Sequence, residues 1–292
     1  MDATWQDETL ESFDSVELFG FQANPQQEAK ASVILVHGYG EQSEAYRELI
    51  GPWLAENFAV YVFDLRGHGR SGGDRGYVRQ FEDYLDDLDL IYARVQDRNK
   101  KQPIFLIGQD LGALIAGMFT ASRKPLLAGL ILCGLPWQLP VTPLQQQVVR
   151  SMASFMPKRP FGPQKLKRLA FGEEAPESEK FIGFAGKGMP ARVLWEILQA
   201  LTSLSQDADN LQLPLFLIQA RQDPYGDVSK LEDLQERAMS YDKTCWLLDG
   251  GQHRLLKNND RLAVSPRIIS WLNERYDRPN EVDEMDEQSE NF

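Results

Sequence analysis

Cysteine and histidine are scarce in this sequence, with two cysteines and three histidines among 292 residues. Cys133 and Cys245 both lie in apolar runs that predict strands, which argues against a disulfide framework and a cysteine-based metal site. The histidines, at positions 37, 68 and 253, lack the spacing of metal ligands. We therefore expect reduced core cysteines and no bound metal.

Long apolar runs and positive charge are also lacking. No stretch of about 18 apolar residues occurs, and residues 1–13 have neither a basic start nor an apolar segment typical of a signal peptide. The net charge is −12, which repels nucleic-acid phosphates. No glycine-rich loop has the pattern that cradles a nucleotide phosphate. These absences predict a cytoplasmic protein without nucleic-acid partner or cofactor.

Short apolar runs alternate with amphipathic stretches along the chain, and the hydrophobic share of 42% is enough for a sizeable core. Runs of this kind predict strands covered on both faces: Ser32–His37, Phe58–Phe63, Pro103–Ile107, Leu130–Cys133, Leu213–Gln219 and Thr244–Leu248. The stretches between them predict helices, among them Val78–Asp97, Ala113–Ser122 and a last helix with Ser265 as N-cap and Pro266 as first residue, ending at Tyr276. This alternation predicts a doubly wound, mostly parallel α/β sheet.

Residues 136–205 interrupt the alternation because they contain no convincing core strand. They carry nine basic and five acidic residues within an acidic protein. We predict a helical cap inserted at 136–205 between core segments 1–135 and 206–280, followed by a disordered acidic tail at 281–292. The basic cap is a candidate for peripheral membrane contact, and solvated lysines on a lid helix are the alternative.

Residues 105–112 predict a strand that runs into a tight turn before a helix. Gly108 and Gly112 lie two residues before and after Asp110, in a G-x-D-x-G pattern that has the form of a nucleophile elbow with aspartate in the usual place of serine. The glycines leave room for a strained turn that raises the central side chain to the sheet edge. Asp110 is the candidate nucleophile; the alternative is an aspartate that only caps the helix.

Three further positions follow predicted strands at the same edge of the sheet. The amide of Tyr39, after the first apolar strand, can point with that of Leu111 at a developing oxyanion. Asp223 and His253 follow the last two predicted strands, so the chain order is nucleophile, acid, histidine. Ligands of such sheets bind at the carboxyl ends of the strands, which makes this edge the candidate active site.

The chain resembles the α/β-hydrolase superfamily, and within it the monoacylglycerol lipase and lysophospholipase-like group, also described as serine aminopeptidase-like. The resemblance rests on the residues 37–41 (HGYGE) and 64–71 (DLRGHGRS), on the elbow, and on Asp223 and His253. It implies oxyanion amides at Tyr39 and Leu111, an Asp223 that orients His253, and a cap that forms an apolar tunnel for an acyl chain. The segment 64–71 is expected to brace the loop after the second long strand.

The elbow departs from that group, whose typical sequence is Gly-His-Ser-Met-Gly, because Gln109 and Asp110 stand where histidine and serine are expected. A carboxylate that attacks an ester forms an adduct whose best leaving group is the carboxylate itself, so the adduct collapses backward. An aspartate nucleophile instead suits displacement at saturated carbon, as in the epoxide hydrolases and haloalkane dehalogenases of this superfamily. Trp137 and Trp195 are the candidate leaving-group donors and substrate contacts near the cap.

Three functions therefore stay open on the sequence. The first is a hydrolase of the monoacylglycerol lipase type that acts, or formerly acted, on esters of lipid-like molecules through Asp110, His253 and Asp223. The second is a catalytically degenerate protein that binds a lipid-like ligand. The third is hydrolysis of an epoxide or haloalkane through an alkyl ester on Asp110.

Overall fold

The computed structural model of the chain describes residues 3–99, 102–139, 141–161, 188–251 and 253–276. Within these residues the main sheet consists of β1 Thr4–Glu11, β2 Glu17–Asn24, β3 Ala31–Val36, β4 Phe58–Phe63, β5 Ile104–Gln109, β6 Gly129–Cys133, β9 Leu215–Ala220 and β10 Lys243–Leu248. A separate pair consists of β7 Pro160–Phe161 and β8 Met189–Pro190. The helices are α1 Arg47–Ala55, α2 Glu82–Arg98, α3 Leu111–Arg123, α4 Pro143–Phe155, α5 Ala191–Gln206, α6 Val228–Arg237 and α7 Arg261–Asn273.

The strand order in the main sheet is β1-β2-β4-β3-β5-β6-β9-β10. The first two pairings, β1 with β2 and β2 with β4, are antiparallel, and all the others are parallel. Two apolar cores cover the faces of the sheet: α2, α3 and α5 pack on one face, and α1 and α7 on the other. The predicted doubly wound α/β fold is confirmed.

All six predicted strands are present, with small differences at their ends. The strand β3 ends at Val36, so His37 belongs to the following loop. The hairpin β1–β2 was not predicted, because β1 is an edge strand with mostly exposed side chains and lacks a buried apolar run. The carboxyl ends of β3, β5, β6, β9 and β10 nevertheless converge as expected.

The predicted start of the last helix is wrong. The helix α7 begins at Arg261, and Pro266 lies inside it. Position 266 is only the sixth residue of the helix, so the missing N–H removes a single bond close to the first turn. Ser265 is not the N-cap: its hydroxyl accepts a hydrogen bond from the indole N–H of Trp53 at 2.8 Å.

The region between β6 and β9 holds α4 and α5, which pack against each other, and α5 also contacts α3. Thr142 and Gln145 form a reciprocal capping box at the start of α4. The described part of this region contributes strands only to the β7–β8 pair, outside the main sheet. Residues 162–187, which contain five of the nine basic residues of the predicted cap, and the predicted tail at 281–292 lie outside the described residues.

Both cysteines are unpaired, with Cys133 buried in β6 and Cys245 half-buried in β10. Across the described ranges, no helix has the length and hydropathy needed to cross a membrane.

Candidate active site

The predicted elbow joins β5 to α3, and Asp110 adopts a positive φ of 54° at its centre. A Cβ on Gly108 would lie 2.2 Å from the carbonyl oxygen of Gly112, and one on Gly112 would lie 2.1 Å from that of Val36. Both glycines are therefore required by close backbone contact. The Asp110 side chain makes no capping bond to α3, so the helix-cap interpretation is wrong and the carboxylate is left for other partners.

The structure brings together the three residues that the chain order predicted to meet, Asp110, His253 and Asp223. The Nε2 of His253 lies 3.0 Å from Oδ1 of Asp110, and its Nδ1 lies 2.7 Å from Oδ2 of Asp223. All three side chains are buried, with 8% or less of each residue exposed. One imidazole therefore bridges two carboxylates at the carboxyl ends of β5 and β9.

This environment determines the protonation of the imidazole. Burial by itself lowers the pKa of His253, but the Asp110 and Asp223 carboxylates outweigh burial and raise the pKa from 6.5 to about 9. At neutral pH His253 is thus an imidazolium that donates one N–H to each carboxylate. In this state it cannot act as a general base, because it already carries the proton.

Asp223 is fixed by its own loop. The side-chain amide of Gln219 donates to Oδ2, and the backbone N–H of Tyr225 donates to Oδ1 at 2.9 Å. The Tyr225 ring also meets the His253 ring edge-on, with 5.2 Å between centroids. These contacts hold Asp223 in the position of an orienting acid.

The predicted oxyanion amide of Tyr39 donates to Oδ2 of Asp110 at 3.0 Å. Gly38 is needed for this approach, because a Cβ there would lie 2.8 Å from the same oxygen. The peptide before Tyr39 is oriented by His37: the N–H of Leu65 donates to Nε2 at 2.9 Å, so Nδ1 carries the proton and donates to the Gly38 carbonyl at 2.8 Å. Leu111, the other predicted amide, is the first residue of α3.

Gln109 is a positioning residue for which the sequence suggested no role. Its buried amide donates to the carbonyl of His253 at 3.0 Å and accepts from the N–H of Leu256 at 2.9 Å. A side chain on β5 thereby holds the backbone of the histidine loop. The one hint in the sequence was its position beside Asp110.

A second contact that the sequence did not predict joins the loop after β3, which carries Tyr39 and is called the oxyanion loop, to the loop after β10, which carries His253 and is called the histidine loop. Glu41 pairs with Nε of Arg254 at 2.9 Å and accepts a hydrogen bond from the Tyr46 hydroxyl, and Arg254 donates to the carbonyl of Tyr39 at 3.3 Å. Burial alone would raise the pKa of Glu41, but Lys257, Arg254 and the Tyr46 bond lower it to about 2. Glu41 is therefore a buried, ionised brace between the two loops.

The segment 64–71 makes contacts that agree with the bracing role expected for it. Asp64 accepts the backbone N–H groups of Ser43 at 2.6 Å and Arg70 at 2.7 Å. Arg66 forms two bonds of 2.6 Å with Asp87 of α2. The loop after β4 is thus bonded to Ser43, in the segment that follows β3, and to the helix α2.

The two tryptophans predicted near the cap lie apart from these contacts. Trp137 follows β6 and is buried, and its indole N–H meets no acceptor among the described residues. Trp195 is half-buried on α5, with the Arg150 guanidinium 5.7 Å from its ring centroid. A substrate contact for either residue stays a prediction. In the part of the chain that is described, no cluster of three His, Cys, Asp or Glu side chains could hold a metal ion.

The parallel sheet, the nucleophile elbow and the acid and histidine that follow later strands together define an α/β-hydrolase fold. Residues 27–260 match the family model Hydrolase_4, described as serine aminopeptidase, S33, and the chain belongs to this family.

Relatives of known activity are similar over most of their length. Human monoglyceride lipase is 27% identical over 255 residues, which cover 84% of this chain and 83% of the human protein. The monoacylglycerol lipase of Mycolicibacterium smegmatis is 23% identical over 251 residues, covering 85% of this chain and 90% of the relative.

Solved structures agree in fold. A thermostable carboxyl esterase from Bacillus coagulans, in complex with glycerol, superposes with a TM-score of 0.77 at 20% identity, covering 94% of this chain and 99% of that one. The superposition agrees with the α/β-hydrolase fold that the family match indicates.

Proposed function

We propose that this protein is a lipase-type hydrolase whose site receives a lipid-like carboxylic ester while Asp110 suppresses ester turnover. The names of the relatives support the ester and the lipid. One observation supports the suppression: the Asp110 carboxylate meets His253 with one oxygen and the Tyr39 amide with the other, each at 3.0 Å. Asp110 thus occupies both the base and the oxyanion donor that a serine mechanism uses.

Three effects oppose turnover of an ester at such a site. An adduct between Asp110 and the ester expels the carboxylate more readily than the far more basic alkoxide. The Tyr39 N–H is already bonded to Asp110, so it is not available to a substrate oxyanion. His253 is protonated at neutral pH and cannot take a proton from water.

In this proposal residues 136–205 form a cap over the site and its apolar tunnel. The same region is proposed to contact lipid surfaces peripherally. Support comes from α4, where Leu144 and Phe155 are 72% and 86% exposed, and from Arg150 on the same helix. Asp223 orients His253 and Asp110 occupies the nucleophile position.

The test is to restore serine at position 110. We expect Asp110→Ser to raise p-nitrophenyl ester hydrolysis by about a thousandfold or more. Serine supplies a hydroxyl nucleophile whose adduct can expel p-nitrophenolate, and loss of the Asp110 carboxylate lowers the pKa of His253 so that it can act as the base. Asp110→Asn is the matched control, since it removes the charge without supplying a nucleophile, and its rate should stay low. A serine variant no faster than the wild type would contradict the proposal.

A second candidate function is displacement at saturated carbon in an epoxide or haloalkane. It is favoured by the bond from Tyr39 to Oδ2, which holds the carboxylate while Oδ1 attacks. The new C–O bond forms as the carbon–leaving-group bond breaks, and the leaving group takes the electron pair. The alkyl ester is neutral, so the pKa of His253 falls and the imidazolium gives its Nε2 proton to the leaving group or to solvent. The neutral imidazole then accepts the proton of the water that cleaves the ester.

This candidate makes a separate prediction. The His253→Gln variant should trap the alkyl-enzyme, and intact-mass spectrometry after incubation with an epoxide or haloalkane should show the added mass on Asp110. Trp137, whose indole N–H has no acceptor in the described ranges, is the candidate donor to the leaving group. Spectra without an adduct would remove this function and leave the first one.

A further inference from the structure

The two edges of the main sheet differ in how they are protected against pairing with another strand. An exposed edge strand can pair with a strand of another chain unless charges, prolines or a covering segment prevent it. The edge strand β1 carries three acids, Asp7, Glu8 and Glu11, and most of its side chains are exposed. The opposite edge strand β10 has one charged residue, Lys243 at its start, and contains no proline. Within the described ranges β10 pairs only with β9, so its outer edge lacks this protection.

The outer edge of β10 presents a regular row of backbone groups. On the inner edge, the carbonyl of Leu248 accepts a hydrogen bond from the N–H of Arg221, which follows β9, at 2.9 Å. Residues of a strand turn their backbone groups alternately to one side and the other, so the even-numbered residues of β10 bond to β9. Lys243, Cys245 and Leu247 therefore direct their N–H and C=O groups outward, where a further strand could bond to them.

Apolar side chains lie on both faces of β10 beside this outer edge. Cys245 and Leu247 pack on the core that includes α6, and Trp246 and Leu248 pack on the core that includes α7. All four residues are only half-buried, whereas every residue of the neighbouring strand β9 is buried. A further strand along β10 would cover the rest of these side chains, and burial of apolar surface favours its binding.

The charges beside this edge suit a second copy of the chain in antiparallel orientation. Lys243 and Asp249 are both exposed and lie three positions before and after Trp246. A twofold axis at Trp246 would set Lys243 of each copy opposite Asp249 of the other. In the same register Cys245 of one copy faces Leu247 of the other, so the outward backbone groups of both copies bond to each other. Opposite charges at both ends of the pairing favour this register.

We propose that two copies of this chain pair antiparallel along β10 and join their eight-stranded sheets into one continuous sheet. The pairing bonds the outward backbone groups, covers the half-buried side chains on both faces and matches Lys243 with Asp249. It concerns the assembly of the chain and does not depend on the reaction at Asp110. One strand from each copy makes a small interface, so we expect a dimer Kd of about 10 μM.

Sedimentation velocity over a range of protein concentrations tests the proposal, because the wild type should reach twice the monomer mass. Lys243→Glu and Asp249→Lys each place like charges opposite each other at both ends of the pairing. Each variant should therefore raise the dimer Kd at least about tenfold. The double variant exchanges the two charges and should return the Kd to within about threefold of the wild type. This rescue separates the contact between copies from the bond that Lys243 makes to the Ala238 carbonyl, which the double variant also lacks.

The matched control is Asp7→Lys, which makes the same charge change as Asp249→Lys on the opposite edge strand β1. Because the protein carries a net charge of −12, a general charge effect would strengthen association in both variants. Only Asp249→Lys should weaken it. Hydrogen exchange gives the location: residues 243–248 should exchange more slowly at dimer-forming concentrations, and β1 should not change.

Four results would overturn the proposal. The first is a monomer at every concentration up to about 1 mM, and the second is a double variant that associates as weakly as the single variants. The third is slower exchange on the exposed face of α4 instead of on β10, which would place the interface there. The fourth is protection of the β10 edge at all concentrations, because another segment of the same chain would then cover it.

Discussion

Two buried ionic clusters in this protein share a design and differ in their central cation. In one, Arg66 of the loop after β4 bonds to Asp87 of α2 at 2.6 Å and to Asp14 of the N-terminal hairpin at 2.9 Å. In the other, His253 bonds to Asp110 and Asp223. Each cluster surrounds one cation with carboxylates, two around His253 and three around Arg66, where Asp83 lies 3.8 Å away, and ties distant segments of the chain together.

The difference lies in which cation can release its proton. Burial lowers the pKa of Arg66, but bonds to Asp87 and Asp14 outweigh it and raise the pKa further above its ordinary value. The guanidinium therefore stays charged at any pH the fold survives. His253 has a pKa of about 9 and can release its proton at mildly alkaline pH. Of these two clusters, only the second can take part in proton transfer.

The largest effect expected from this comparison is on stability. Arg66→Ala leaves Asp87, which is fully buried, without its cation, and should lower the free energy of unfolding by about 3–5 kcal/mol. Chemical denaturation measures this loss. Arg221→Ala, which breaks an exposed pair with Asp249, is the control and should cost less than about 1 kcal/mol. Equal losses for the two variants would mean that the Arg66 cluster is not a structural ion pair.

The next effect is the pH dependence of stability. The pKa of His253 is about 9 in the folded protein and about 6.5 unfolded, so its stabilisation is complete below pH 6.5 and is lost as the pH rises through 9. The loss from this group should reach about 3 kcal/mol. It is measured in a denaturation series of the wild type from pH 6 to 10, and it should be smaller in Asp110→Asn, which keeps only one of the two carboxylates that raise the pKa.

Histidine NMR provides the control, because the chain has only three histidines. Burial lowers the pKa of both His37 and His68, the latter to about 3. His253 should therefore be the one ring that titrates above pH 7, and its midpoint should fall in Asp110→Asn. A His253 midpoint near 6.5 in the wild type would contradict the ionic triad.

The smallest effect concerns the Gln109 side-chain amide, which bonds to the backbone of the loop that carries His253. Gln109→Leu leaves the Leu256 N–H and the His253 carbonyl without their side-chain partner and should cost about 1–3 kcal/mol. Gln147→Leu, on the exposed face of α4, is the matched surface control and should change stability by about 0.5 kcal/mol or less. A Gln109 variant as stable as its control would show that the histidine loop does not depend on this amide.

The parallel sheet could be predicted from the sequence, and so could the proximity of Asp110, Asp223 and His253. Each prediction follows from short stretches of sequence. Buried apolar runs predict strands, and residues after parallel strands share one edge of the sheet. The start of α7 was missed because Ser265 and Pro266 are typical of a helix start, whereas the tertiary bond from Trp53 uses the Ser265 hydroxyl. Local preference gave way to packing at that point.

The supporting contacts of the site could not be predicted, for a related reason. The Gln109 amide bonds to backbone groups about 145 positions further along the chain, and Arg254 pairs with Glu41 from the opposite end of the sequence. No periodicity or motif specifies such a partner, because a side chain can satisfy its hydrogen bonds in many ways. These partners are determined only when the loops have been brought together.

The close approach of Gly38 has a consequence for the redesign of this enzyme fold. Its backbone leaves so little space that a Cβ there would lie 2.9 Å from the Asp110 Cβ, and the positive φ at position 110 disfavours branched residues. A mutant library at this position can therefore be limited to small unbranched residues, chiefly serine, cysteine, asparagine and aspartate, and each would present a different reactive group to the same imidazole.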